Sequence, residues 1–214
     1  LNYKRVIVGP IYNGYRRIAQ RCFDKLSTNG IMMAEHNDTP ADPSVEETVE
    51  TMWEGRFITA KRQGKLEYVS RSRGIRAAVI LAVDDGHVLL VEQYRVPLGR
   101  NCIELPAGLV GDHEESADED AALAANRELE EETGYRADIM EDCGEFFSSP
   151  GMVSESFSLF KAKGLTKVGD GGGVDSENIT VHRVALDGLD AFIAKKRAEG
   201  AGIDVKLLLF LLTQ

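Results

Sequence analysis

Scarcity narrows this sequence before any motif does. Its three cysteines, Cys22, Cys102 and Cys143, are odd in number and far apart. That excludes a disulfide framework and points to a reducing, cytoplasmic setting in which each thiol is core packing. No apolar run reaches the roughly 18–20 residues that a membrane-spanning helix needs. The most apolar stretch, the C-terminal VKLLLFLLTQ, is too short to span and reads as a buried helix. Positive charge is also lacking. A formal net charge of −10 over 214 residues excludes a general nucleic-acid binder.

The charge that is present is unevenly spread. Residues 1–31 hold six basic groups (Lys4, Arg5, Arg16, Arg17, Arg21, Lys25) against the single acid Asp24. The rest of the chain is therefore strongly acidic, and an acidic protein that handles an anionic substrate needs metal ions to mediate the contact. The basic segment is expected to lie outside the core. It reads as a targeting peptide, as sequence upstream of a start at Met32-Met33, or as an arm that packs on the domain or a partner. The polar stretch AEHNDTPADPSVEET then reads as a linker, so the expected organisation is a basic extension and linker over 1–50 and a domain over 51–214.

Within that domain, GRFITAKRQGKLEYVS alternates apolar and polar residues around Gln63-Gly64, the pattern of a hairpin. GIRAAVILAV and VLLVEQYRV read as buried strands joined by an Asp-Gly turn, and CIELPAG as a short strand closed by Pro106 and Gly108. Ser116-Ala117-Asp118-Glu119 fits a capping box for a helix that continues through DAALAANRELEEET and stops at Gly134. Strands are expected near 136–148, 156–162 and 178–186, GDGGGVDSEN as a loop, and helices near 187–199 and 203–213. This order predicts an α+β domain with a mixed β-sheet sandwiched between α-helices.

One segment lacks the lysines that would relieve its own repulsion. RELEEETGY places Glu128, Glu130, Glu131 and Glu132 within five residues. On a helix Glu128, Glu131 and Glu132 stand at i, i+3 and i+4, so their carboxylates share a face, whereas Glu130 points elsewhere and is read as solvated. Such a trio is a hard-oxygen site suited to Mg2+, with Mn2+ possible, beside substrate phosphates. Arg127 can pair within the cluster and orient a carboxylate. The alternative, a solvated acidic face, is disfavoured because the trio sits near a helix C-terminus, where the macrodipole opposes negative charge.

At Arg127, Glu128, Leu129, Glu131, Glu132, Gly134 and Tyr135 the chain resembles the second half of the Nudix hydrolase signature. The first half departs from it. Counting back from Arg127 puts Glu119 in the glutamate position but His113 where glycine belongs. Counting forward from Gly108 puts Glu114 there and leaves twelve residues before Arg127 instead of seven. The physical reading is an insertion, with the loop glutamate left open among Glu114, Glu115 and Glu119.

LLVEQYRVP, ELPAGLV, SSPGMVSES and ENITVHRV resemble the ADP-ribose pyrophosphatase branch of that family. The resemblance implies a Nudix fold, and metals held by Glu128, Glu131, Glu132 and the Ala107 carbonyl. It implies Glu155 as general base with Glu131 and Arg127 in the catalytic machinery, and Arg95 on phosphate or supporting the site. It also implies a homodimer. Arg73, Arg76 and Trp53 are further substrate-binding candidates, and Glu104 either supports the metal carboxylates or pairs with a nearby arginine. Phe57 and Tyr94 join Trp53 as possible adenine platforms, each with core packing as its ordinary role. The expected substrate is ADP-ribose or another nucleoside diphosphate sugar. Motifs of the NADH and coenzyme A branches are absent from the sequence. A non-catalytic module that binds ADP-ribose or a protein is the reading from another class.

Overall fold

The computed structural model describes residues 48–72, 76–110, 120–174 and 177–211. The basic segment, the linker, Cys22, Arg73, and the insertion with Glu114, Glu115, Ser116 and Glu119 lie outside the described residues. Residues 40–207 belong to one compact unit. Among the described residues no helix is long and apolar enough to cross a membrane.

A small antiparallel sheet comes first, with β1 (Glu50–Glu54), β2 (Ile58–Gln63) and β3 (Leu66–Arg71) in that order. Gly64, at φ 59°, makes the β2–β3 turn that the sequence pattern anticipates. The larger sheet is built on β4 (Arg76–Asp84) and β5 (His87–Arg95). Asp85 and Gly86 both take positive φ, 46° and 68°, as a two-residue Asp-Gly hairpin turn requires. β4 and β5 pair only beside that turn, at Val83–Val88 and Asp84–His87. Beyond it they diverge. β4 runs antiparallel to β7 (Ala107–Val110) and parallel to β9 (Ser156–Lys167), whereas β5 runs antiparallel to β6 (Arg100–Glu104) and β10 (Thr180–Ala185). β8 (Tyr135–Phe147) completes one edge against β9, and the two-residue β11 (Gly202–Ile203) adds in parallel to β6. The mixed sheet is therefore as expected, but Gly108 lies inside β7 and does not close β6.

Helix α1 (Ala121–Thr133) covers one face. Ala124, Ala125 and Leu129 pack with Ala78, Ile80 and Ala82 of β4, Leu89 of β5, and Phe160 and Ala162 of β9. The alternate residues of β5 face the other way, where α2 (Leu189–Ala198) buries Leu189 and Ile193. Lys196 of α2 donates to Glu92 of β5 at 2.8 Å, and His182 of β10 meets the same oxygen at 2.8 Å. The sheet thus lies between helices.

Two expectations about helices need correction. The described start of α1 is capped by Asp120, whose carboxylate accepts from the Ala122 amide at 2.8 Å. Asp120 is extended at ψ 121°, so the cap is there and not at Ser116. Over the described residues to Leu211 the C-terminal segment is not the single helix expected near 203–213. Val205–Leu207 is a 3-10 turn, followed by the short α3 (Leu208–Leu211). Leu207 is buried, whereas Val205 and Leu208 are exposed.

Candidate active site

The last turns of α1 lie against β7, and this packing sets Glu128 and Glu132 on the β7 backbone. Glu132 is buried, 6 % exposed, and its Oε2 accepts the Ala107 amide at 3.0 Å. Glu128 runs across Gly108 so closely that a Cβ there would come 2.1 Å from the Glu128 Cδ. Arg127 bridges along the helix to Glu128 at 2.9 Å and to Glu131 at 3.4 Å. Glu130 leaves this face as the helical spacing requires. It is paired rather than merely solvated, because Arg136 forks onto both of its oxygens at 2.8 and 3.0 Å.

A helix C-terminus is a poor place for acids unless its free carbonyls are satisfied. Here the glycine-rich loop after β9 does this. Gly172 and Gly173 donate to the carbonyls of Glu132 and Glu131 at 2.8 and 3.0 Å, and Val168 and Gly169 both donate to that of Gly134. The approach is so tight that a Cβ on Gly171, already at φ 70°, would meet the Thr133 carbonyl carbon at 2.4 Å. Sequence reading marked GDGGGVDSEN as a loop and missed this role.

Burial has an electrostatic consequence. Desolvation raises the Glu132 pKa to about 8, against the opposing effect of the Ala107 amide, with Glu128 and Glu177 adding repulsion. Burial also raises Glu128, with Arg127 opposing it. Glu177 is the acid that sequence reasoning missed. It lies at the end of the glycine-rich loop and accepts the Val174 amide at 2.9 Å. Among the described residues no three His, Cys, Asp or Glu side chains are grouped so as to enclose an ion. The donor set suits a divalent cation nonetheless. Glu128 and Glu132 are hard-oxygen groups whose charged form burial disfavours, and a nearby cation would restore it.

Arg95 and Glu104 settle on each other. Nε and Nη2 of Arg95 donate to the two Glu104 oxygens at 2.6 and 2.9 Å, so of the two readings for Glu104 the arginine pair is the one formed. Arg95 also lies within electrostatic reach of Glu132, lowering its pKa. Glu155 is on the loop before β9 and is held by a residue outside the sequence-based set. Arg71 of β3 donates through Nε to Glu155 Oε1 at 2.6 Å and through Nη2 to the same oxygen. The loop docks on β3 alongside, with Val69 and Met152, and Ser154 and Val69, exchanging backbone bonds of 3.0 Å. Nothing in the local sequence marks Arg71 as a partner 84 residues away.

Arg76 stands opposite Val110 in the β4–β7 register. Trp53 is on β1 and 57 % exposed, while Phe57 and Tyr94 are 62 % and 58 % exposed. Core packing therefore fails for all three. Trp53 lies across Gly55 and Phe57 under the Arg56 guanidinium, 5.0 Å from the ring centroid, while Tyr94 is on β5. Cys102 is buried as expected, whereas Cys143 is only half-buried.

The family model described as NUDIX domain matches residues 72–198. The chain is 38 % identical over 121 residues to a methanol dehydrogenase activator of Bacillus methanolicus, covering 56 % of this chain and 63 % of that protein. It is 37 % identical over 111 residues to an ADP-ribose pyrophosphatase of Bacillus subtilis, covering 51 % and 57 %. The chain thus spans less than two thirds of the length of both relatives. A crystal structure of an ADP compounds hydrolase superposes with a TM-score of 0.53 at 20 % identity, over 72 % of this chain and 92 % of that one, a likeness of fold.

Proposed function

The chain belongs to the Nudix family, and we propose that it hydrolyses the diphosphate of ADP-ribose to AMP and ribose 5-phosphate with a divalent cation, most simply Mg2+. The observation that carries this reading is the pairing of buried Glu132 with the Ala107 amide beside Glu128 on Gly108. Similarity to an ADP-ribose pyrophosphatase supports the substrate.

Glu128, Glu132 and the Ala107 carbonyl would hold the cation, with Glu131 beside them. A bound divalent cation supplies neutralisation of diphosphate charge and a lowered pKa for water. The chain does the rest. Arg127 fixes the rotamers of Glu128 and Glu131, so the acids do not splay apart under their own repulsion. Glu155 takes the proton as water adds to one phosphorus and the bridging oxygen departs with the other. Arg95 is clamped by Glu104 through Nε and Nη2, which leaves Nη1 to steady the charge developing on phosphate. Trp53 is the proposed stacking surface for the base, its exposure being what such a role needs.

The apolar side chains Met52, Trp53, Phe57, Ile58 and Leu66 stand exposed on β1–β3 and its turns, which supports a homodimer through that sheet. Light scattering should give twice the 23.5 kDa chain mass, and a monomer with full activity would overturn the dimer. Initial rates on ADP-ribose against GDP- and UDP-sugars test the substrate. The proposal predicts the highest kcat/KM for ADP-ribose and fails if another nucleoside diphosphate sugar exceeds it.

A further inference from the structure

On the face that α1 occupies, one row of residues runs across four strands. Glu128 lies over Gly108 of β7, Gly108 pairs with Ala78 of β4, Ala78 with Ser158 of β9, and Ser158 with Glu145 of β8. Paired residues share a sheet face, and Ala78 packs with Ala124 and Leu129 of α1, so Ser158 and Glu145 stand on the α1 side. Ser156 and Phe147, paired with each other two residues along, stand on that side too. Phe146 and Phe157 take the opposite side, where their ring centroids lie 6.0 Å apart. The helix covers only part of the row. Ala78 is fully buried, Ser156 and Ser158 are half-buried, and Glu145 and Phe147 are exposed.

The polar groups beyond the helix are not used up by the fold. Ser156 Oγ donates to Glu145 Oε1 at 2.5 Å, which fixes the carboxylate and leaves its other oxygen open. Among the described residues the Ser158 hydroxyl and the Phe147 ring have no hydrogen-bond or ring partner. A carboxylate acceptor, a hydroxyl that donates and accepts, and an apolar ring face together suit the neighbouring hydroxyls of a sugar. They do not suit a further phosphate, which the Glu145 charge repels. Gly108 and Glu145 stand three strand spacings apart, about 14 Å. One ligand can therefore serve both ends, with its diphosphate at Glu128 and a sugar beside Glu145. We propose that Glu145, Ser158 and Phe147 form a subsite for the hydroxyls of an uncharged sugar on the distal phosphate, with Ser156 as a positioning residue acting through Glu145. This subsite deepens the function proposed above and rests on it for the place of the diphosphate.

The test is calorimetric titration of the full chain, with Ca2+ in place of Mg2+ to hold turnover down. It compares ADP-ribose with the methyl ester of ADP, which keeps adenosine and diphosphate but has no distal sugar. Wild type is expected to bind ADP-ribose about tenfold more tightly or better. Glu145→Gln should remove roughly that tenfold, the scale of one lost charge-assisted hydrogen bond. Ser158→Ala and Phe147→Ala should each weaken ADP-ribose binding severalfold. Binding of the methyl ester should stay the same in all three variants, a selectivity that general loosening of the fold would not produce. An equal change for both ligands in Glu145→Gln overturns the proposal, since the carboxylate would then act only through the fold or through its charge. So does a wild type that does not distinguish the two ligands, or unchanged ADP-ribose binding in all three variants. Hydrolysis is followed separately with Mg2+. Sugar-selective binding without turnover would count against the hydrolase reading alone, and turnover of both compounds with equal kcat/KM would count against the subsite alone.

Discussion

Glu132 shows how far a residue can be read from spacing. The period of 3.6 put Glu128, Glu131 and Glu132 on one face and turned Glu130 away, and both hold. Burial was not legible, because it comes from β7, whose Ala107 amide and bare Gly108 meet the helix only in the folded chain. Two predictions follow from that contact. A folded pKa of about 8 against an ordinary 4.5 means the fold favours the protonated acid. Its stabilising effect is full below about pH 4.5 and is lost as pH rises through 8. The melting temperature of metal-free protein should therefore fall from pH 5 to pH 8 more steeply for wild type than for Glu132→Gln, as followed by scanning fluorimetry. Parallel profiles would count against the burial account. Gly108→Ala tests the neighbouring contact. The clash is with a flexible side chain, so unfolding free energy should change little while Glu128 is displaced. Activity is expected to drop on the order of a hundredfold. Unchanged kcat/KM would show that Glu128 needs no such passage.

Helix α1 was recognisable as an element from its alanine-rich apolar stripe and its stop at Gly134, but neither of its ends was fully legible. Asp120, adjacent to the first helical residue, takes the capping role that the Ser116 pattern suggested upstream. The other end depends on a loop more than thirty residues later in the chain. Gly171→Ala would place a side chain at φ 70° against the Thr133 carbonyl carbon. Destabilisation of roughly 1–3 kcal/mol from backbone strain alone is expected in urea denaturation. A neutral effect would mean the loop is not fixed to the helix end. On the opposite face, α2 is held by Glu92. Burial alone would raise its pKa, but hydrogen bonds from Lys196, His182 and Asn101 outweigh that and lower it to about 2. The sign is opposite to that of Glu132. This stabilisation is present above about pH 4.5 and is lost as pH falls from there through 2. Acid unfolding monitored by circular dichroism should be shallower over that range for Glu92→Gln, and an unaltered acid limb would remove Glu92 from the account.

For the molecule as a whole, hairpins and strand order were visible in alternation and turn chemistry, because those signals are local. The parallel pairing of β4 with β9 was not, nor was the docking of the Glu155 loop on β3, because each joins residues some eighty positions apart. The exposed aromatics were misread for a related reason. Composition marks Trp53 and Phe57 as core material, and only the surface position of their sheet shows otherwise. The architecture sets Glu132 of α1 on the β7 amide, pairs Arg95 of β5 with Glu104 of β6, and holds Glu155 of the loop before β9 on Arg71 of β3. The central claim is that the acids of α1 serve diphosphate hydrolysis. Release of AMP from ADP-ribose, measured with and without Mg2+ for wild type and Glu132→Gln, tests it most directly. The account predicts Mg2+-dependent release by wild type and a loss of about a hundredfold or more in the variant, with its fold intact. Full activity in Glu132→Gln, or binding of ADP-ribose by wild type without any turnover, would contradict it.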